Sequence, residues 1–422
     1  MIQLLKKHKD IFIFSFFIMF FSGLGQSFLL GQYFFHIKKD LALTGTDLSI
    51  AYALGTLLAS FNLSTIGSLI DKWSWKKSTL LTISFIFLGH MILSQAKTFL
   101  FLFLGFYVIR CFGQMTLSSI SSTLIGKIFG GHRGKFNTMA SYGRSVAEGV
   151  LPSVVAFLIS VTMWRTSLIL SGFFLLIIMT PLTLLLADKV GKTPLYEDKN
   201  SLRASSSSKK MNWKDLFFEE RKAFFMMLGF MALPFILTGI FIQQGDLVES
   251  RGFDMKEAAI GFIFFSCFQI MGNTLFGHLV DKYGAFKLVF FLPFFLFLGV
   301  FLLMMGGTLN LFYISFGFLG FSVGVQSSVV NAFWAEVYGT RYLGKMKGMD
   351  STMVVLSTSL APLVFSFLLD HGFSFQGVLV FCLGVIVLST LSLLWGFRLF
   401  NYEQRYDVES QNFRPKRFLS KF

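Results

Sequence analysis

Gly67-Ser68-Leu69-Ile70-Asp71-Lys72 returns 210 positions later as Gly277-His278-Leu279-Val280-Asp281-Lys282. Each copy closes a long apolar stretch. Each is followed by further cations, Lys76 and Lys77 in the first and Lys287 in the second. The same offset relates Pro152 to Pro362, Ser118 to Ser328, and Trp164 to Ser374. Landmarks that keep one register across two halves mark an internal duplication. In a very hydrophobic chain with short charged loops, such a duplication implies a secondary transporter.

Composition points the same way. Of 422 residues, 54% are hydrophobic and 14% charged, and the mean hydropathy is +0.67. Soluble domains carry about 25% charged residues, so this chain has too few to cover a water-facing surface. Phe alone occurs 57 times, which suits helices facing lipid. Cys111, Cys267 and Cys382 all fall in apolar runs, where they read as small buried hydrophobes rather than a disulfide framework.

A spanning helix needs about 20 apolar residues. Twelve runs qualify, at roughly 11–36, 47–70, 78–95, 98–126, 136–160, 164–187, 222–248, 256–280, 286–305, 308–335, 346–369 and 374–397. The expected fold is therefore an all-α membrane protein with 12 transmembrane helices in two six-helix pseudo-repeats. The expected domains are a first bundle at 1–187, a cytoplasmic linker at 188–221, a second bundle at 222–398 and a cytoplasmic tail at 399–422. The linker is rich in Ser and Lys, with a short interfacial helix expected from Trp213 to Glu220.

The net charge of +15 would suggest nucleic acid in a soluble protein. Here its distribution speaks to topology. With the N-terminus inside, 29 of the 37 Lys and Arg fall on inner segments and six on outer ones, while Arg110 and Arg144 lie within apolar runs. Basic loops stay on the cytoplasmic side. Both termini and the linker are thus expected in the cytoplasm, in a bacterial inner membrane, with no nucleic-acid partner.

Ionisable groups inside a membrane are costly, which makes each a functional candidate. Arg110 in the fourth run is followed by Gln114, Ser118 and Ser121 at helical spacing, which predicts one polar face. Two readings of Arg110 stand: a ligand in a central cavity, or a tie between helices through backbone carbonyls. The repeat-equivalent face in the tenth run holds Gly320, Gly324, Ser328 and Asn331, with Gln326 nearby. Arg144 and Glu148, four apart on the fifth run, can pair. They are either a neutralised structural pair or a proton-coupling site in which protonating Glu148 frees Arg144 for an anion. Gln26 beside Gly23 and Gly25 in the first run, and Gln243 and Gln244 in the seventh, add hydrogen-bonding amides to a polar pathway. The substrate-binding set expected is Gln26, Arg110, Gln114, Gln243, Gln326 and Asn331.

Asp71, Lys72, Arg133, Asp281, Lys282, Glu336 and Arg341 cluster at loop ends on the basic side, and Asp350 lies near them. They read as a gate that forms and breaks. No P-loop, nucleophile elbow or metal-ligand spacing occurs, which argues against an enzyme and against any cofactor.

These residues resemble the major facilitator superfamily. Its loop motif runs Gly-x-Leu-x-Asp-Arg/Lys-x-Gly-Arg-Lys/Arg. The first copy keeps Gly67, Leu69, Asp71, Lys72 and Lys76 but has Ser74 and Trp75 at two positions. The second keeps Gly277, Leu279, Asp281, Lys282 and Gly284 but has Ala285 and Phe286 where cations are expected. Gly25-Gln26-Ser27, Arg110-Cys111-Phe112-Gly113-Gln114 and Ala335-Glu336-Val337-Tyr338-Gly339-Thr340 are similar to bacterial members near the monocarboxylate-transporter-like branch. The eighth run, Ile260 to Val280, lacks the Asp and Arg that animal monocarboxylate carriers use there. The resemblance implies alternating access for a small organic anion taken up with a proton, by a monomer in the bilayer. Export of drugs or metabolites by proton antiport is the alternative within the class. A transporter-like sensor is the alternative outside it.

Overall fold

A computed structural model describes residues 8–129, 133–191, 193 and 220–410. Twelve helices in it are long and apolar enough to cross a membrane. They are α1 (Lys9–Asp40), α2 (Gly45–Ser68), α3 (Trp75–Ser94), α4 (Phe99–Phe129), α5 (Phe136–Val161) and α6 (Trp164–Gly191) in the first half. The second half holds α7 (Arg221–Ile242), α8 (Met255–Tyr283), α9 (Ala285–Met305), α10 (Leu309–Gly339), α11 (Leu343–Asp370) and α12 (Phe375–Phe400). Hydrocarbon offers the backbone no hydrogen bonds, so each apolar run closes its own as a helix. Phe61 and Ile177, 77% and 70% exposed, belong to a wide outward-facing apolar surface. Water would penalise such a surface, and lipid does not.

Helix pairing follows the duplication. In the first half α2 packs on α4, α3 on α6 and α1 on α5. In the second half α8 packs on α10, α9 on α12 and α7 on α11. The α8–α10 contact is close enough that a methyl at Gly320 would lie 2.0 Å from the Phe265 carbonyl oxygen. Phe265 is the repeat mate of Gly55, whose backbone meets α4 at Tyr107.

The helices break where the sequence lets them. α1 is interrupted by a single 3-10 turn, Gly23–Gly25, with Gln26 extended at φ −87° and ψ 155°. α7 breaks at Met231 and again at Gln243 before the short helix Gln244–Ser250. The α10–α11 turn is made at Gly339, whose φ of 64° and ψ of −176° only glycine adopts without strain. α12 continues as helix to Ser410, into the stretch expected to begin a tail. Residues 213–219 of the expected interfacial helix and 411–422 of the tail lie outside the described residues.

Candidate functional site

The break in α1 creates the environment of Arg110. Because the chain turns out of helix at Gln26, the following amides of Leu29 and Leu30 bond to the Gln26 carbonyl. The Gly25 carbonyl is left for another donor. Arg110 Nη1 donates to it at 3.1 Å, and Arg110 Nε donates to Thr56 Oγ1 at 3.1 Å. The guanidinium also lies 5.0 Å from the Tyr52 ring centroid. Arg110 is 1% exposed, and in this conformation its contacts tie α1, α2 and α4 together. A methyl at Gly25 would sit 2.5 Å from the Gln114 amide nitrogen, so the approach that seats this arginine needs a glycine.

One sequence expectation needs correction here. Residues Ile109–Leu117 form a π-helix, not an α-helix. Thr116 Oγ1 accordingly donates to the Cys111 carbonyl five residues back, at 2.8 Å. The wider turn shifts the register, so the 3.6-residue spacing that placed Arg110, Gln114, Ser118 and Ser121 on one face does not hold across this stretch. Arg110 is sealed between helices, whereas Gln114 is half-buried and its Oε1 has no hydrogen-bond partner. The Ser118 hydroxyl turns back to the Gln114 carbonyl.

Arg144 and Glu148 do meet, with Nε and Oε1 3.7 Å apart. Their side chains are 38% and 12% exposed. Arg144 Nε and Glu148 Oε2 make no hydrogen bond. The pair lies on the face of α5 that packs on α8. Ser266 Oγ donates to the Ser145 carbonyl at 2.6 Å, Ser153 Oγ donates to the Ala259 carbonyl at 3.2 Å, and Gln269 lies against Glu148. Glu148 thus faces Gln269 of the other half while one of its carboxylate oxygens is left without a hydrogen bond.

The remaining expected residues divide. Gln26 is half-buried at the α1 break. Gln326 Nε2 donates to the Phe230 carbonyl at 3.0 Å, just before α7 breaks. Asn331 is exposed, bonded to the Ser327 carbonyl at 2.6 Å and to Lys347 at 3.2 Å. Gln243 is buried and bonded to Ser366. Ser366 in turn bonds Ser49 of the first half, so Gln243 backs the closure between halves from within the second one. Of the expected gate, the side chains of Asp71, Arg133 and Arg341 lie outside the described residues. Lys72, Asp281 and Lys282 are exposed. Glu336 Oε2 accepts the Ala285 amide at 2.6 Å and so caps the start of α9 within its own half. Asp350 sits beside Trp334 and Lys347, also within its half.

The closure lies at the end of the molecule away from the termini, and sequence reasoning did not assemble it. Lys38 pairs with Asp246, and Lys39 with Glu249 at 2.6 Å. Gln32 Nε2 donates to Gln244 Oε1 at 3.1 Å, and Gln244 Nε2 to the Phe28 carbonyl at 3.1 Å. Ser49 and Ser366 share a hydrogen bond of 2.6 Å. Asp370 accepts from the first amides of α2. One signal was available: Lys39 and Glu249 are repeat mates of opposite charge. At the other end, methyls placed at Gly67, Gly126, Gly277, Gly344 and Gly348 would meet nothing within 4 Å. Among the described residues, the ion pairs and most of the side-chain bonds that join the two halves gather at the far end.

Comparison with known proteins agrees with this architecture. The family model described as Major Facilitator Superfamily matches residues 15–264 and 223–420. Solved structures of the same shape include a mutant of the nucleoside transporter NupG, with 16% identity over 92% of this chain and 100% of that one, TM-score 0.72. Unmutated NupG shows 17% identity, covering 92% and 98%, with TM-score 0.68. A bacterial homolog of the human lysosomal transporter Spinster, inward-facing and occupied, shows 12% identity, covering 96% and 98%, with TM-score 0.66. No curated protein matches the chain. At such identities the likeness is one of fold, and none of these findings supports the monocarboxylate branch that the sequence resembled. Twelve spans, paired halves sealed at one end and a family match over nearly the whole chain lead to one conclusion: the chain belongs to the major facilitator superfamily and is a secondary transporter of a small solute, not an enzyme.

Proposed function

We propose that the protein is a proton-coupled symporter of a small organic anion, working by alternating access. The charge split of the loops supports cytoplasmic termini, which makes the sealed end the outer one and this conformation inward-facing. The observation that carries the coupling is the Arg144–Glu148 ion pair in the α5–α8 seam, in which neither Arg144 Nε nor Glu148 Oε2 makes a hydrogen bond. Arg110 is committed to Gly25 and Thr56, so Arg144 is the cation at hand for an anion. A proton added to the Glu148 carboxylate cancels its charge. Arg144 then holds an uncompensated positive charge, which a carboxylate can satisfy through the guanidinium fork. Release of the anion and loss of the proton restore the pair. Proton and solute would then move one for one.

A second reading has its own support. The amide oxygens of Gln114, Gln243 and Gln269 are buried without partners. Acceptors left open favour a neutral solute rich in donors. Proteoliposome uptake of labelled monocarboxylates and of neutral hydroxylated solutes, with and without an inward proton gradient, separates the two. The symport reading expects gradient-driven accumulation of an acid, abolished in Glu148→Gln while exchange of labelled for unlabelled solute persists. Accumulation of a neutral solute alone would move the assignment to the second reading. Full gradient response in Glu148→Gln would remove Glu148 from coupling.

A further inference from the structure

The amides at the start of α2 have an unusual owner. A helix leaves its first donors without internal acceptors. In α2 the Asp47 amide is taken by Thr44 Oγ1 at 3.1 Å, while Thr44 Oγ1 donates to Asp47 Oδ2 at 2.6 Å and the Thr44 amide reaches the same oxygen at 3.4 Å. This local box stops short of Gly45 and Thr46. Their amides bond to Asp370, at 3.3 Å to Oδ1 and 2.7 Å to Oδ2, and Thr46 Oγ1 adds a third bond of 2.6 Å. Asp370 is the last residue of α11, in the other half of the molecule. One turn deeper, Ser49 meets Ser366, which also holds Gln243.

The repeat-related seam lacks this device. The start of α8 is capped by its own Asp254, whose Oδ1 accepts the Lys256 amide at 2.7 Å. The repeat mate of Asp370 is Ser160, whose hydroxyl turns back to the Phe157 carbonyl of its own helix. The α5–α8 seam is joined near this end by one hydroxyl-to-carbonyl bond, Ser153 to Ala259, and deeper in by a second, Ser266 to Ser145. The α2–α11 seam is joined by a carboxylate lying on a helix N-terminus, where backbone dipoles favour negative charge.

We propose that Asp370 is the latch of the far gate: a helix cap supplied in trans, which holds α2 to α11 in the closed state and must be given up when that end opens. On opening, the Gly45 and Thr46 amides pass to water and the Thr44–Asp47 box alone holds the helix start. The two repeat-related seams are therefore unequal, one latched by charge and the other by neutral bonds, beside the Lys38–Asp246 and Lys39–Glu249 pairs that join α1 to the segment after α7. Asp370 is a positioning residue for the transport cycle and touches no solute. The proposal rests on the alternating-access reading.

Spin labels at Lys97 and Gly307, repeat mates on loops of the far end, report its opening by double electron–electron resonance on the full chain in lipid nanodiscs. Cys267, the exposed cysteine, is replaced by Ala for the purpose. Loss of a capping side chain shifts a helix equilibrium roughly 2- to 30-fold. Asp370→Ala should raise the long-distance population over the short one by such a factor, and Asp370→Asn by less. Should Asp370→Ala not fold, Thr46→Val, which removes one of the three bonds, should move the distribution in the same direction by a smaller step. Unchanged proportions in these variants, beside a parent that shows both distances, would overturn the latch alone. Parent and variants confined to one distance at every pH would overturn the latch and alternating access together.

Discussion

A single methyl group at Gly31 should hold the far gate open. Gly31 lies in α1 where it crosses the segment after the α7 break, and a Cβ there would sit 1.8 Å from the Phe241 carbonyl oxygen. The obstacle is backbone from the other half, which cannot swing aside as a side chain would. The Gln244 amide, 2.7 Å from the same point, closes the other side. Overpacking of this kind costs about 1–3 kcal/mol. Within α1 itself alanine is a better helix former than glycine, so the penalty falls on the closed arrangement and not on the helix. The closed-to-open ratio should drop roughly 5- to 150-fold, since about 1.4 kcal/mol is a factor of ten. Distances between labels at Lys97 and Gly307 in Gly31→Ala should shift to the long population, while the unfolding temperature stays near that of the parent. Gly143→Ala is the contrast: its methyl would lie 2.2 Å from the Phe16 carbonyl, inside the first half, and should lower stability without moving the gate. A folded Gly31→Ala protein with the parent's distances would refute the reasoning, because the Gly31–Phe241 approach would then not limit closure.

Two further outcomes follow from buried or capping cations. Arg110→Lys keeps the charge but loses the fork that serves Gly25 and Thr56 together. A loss of about 1–3 kcal/mol in stability is expected, with KM little changed; a raised KM at unchanged unfolding temperature would instead put Arg110 on the solute. Arg251 donates to the carbonyls of Leu303, Met304 and Gly306, the last turn of α9, and burial lowers its pKa from the ordinary value while leaving it charged at neutral pH. Arg251→Ala should cost about 1 kcal/mol and speed amide exchange in the last turn of α9; unaltered exchange there would exclude the capping role.

Arg165 shows how two halves of one ancestry solve one problem differently. It donates to the carbonyls of Ser94 and Ala96 at the end of α3, at 2.8 and 3.0 Å, and to Asp40 at 2.9 Å. α3 and α9 are repeat mates, and both end against an arginine. Yet Arg165 begins α6 while Arg251 follows α7, so the two caps are not themselves related by the 210-residue offset. The need for a donor at a helix C-terminus is general; which residue supplies it was free to drift.

The same contrast separates what could be read from the chain from what could not. The Arg144–Glu148 pair was legible because both residues ride one helix and helical spacing is local. The seat of Arg110 was not. It depends on a carbonyl that α1 releases only because it breaks at Gln26, and on a π-turn that displaces Gln114 from the expected face. Gln243 was legible as a polar group in an apolar run, but not as a partner of Ser366, 123 residues away.

By itself the sequence determined the twelve spans and their pairing into two related sets. A backbone in hydrocarbon must bond within its own segment, so apolar length decides each helix, and a duplicated pattern of residues duplicates the packing. Only the tertiary structure decided which end is sealed, what Arg110 and Asp370 hold, and where Glu148 meets the other half. Those contacts join residues up to 325 apart in the chain. Alternating access would need the two bundles to seat in more than one way, the seatings differing by a few kcal/mol at most. No local pattern encodes so small a difference.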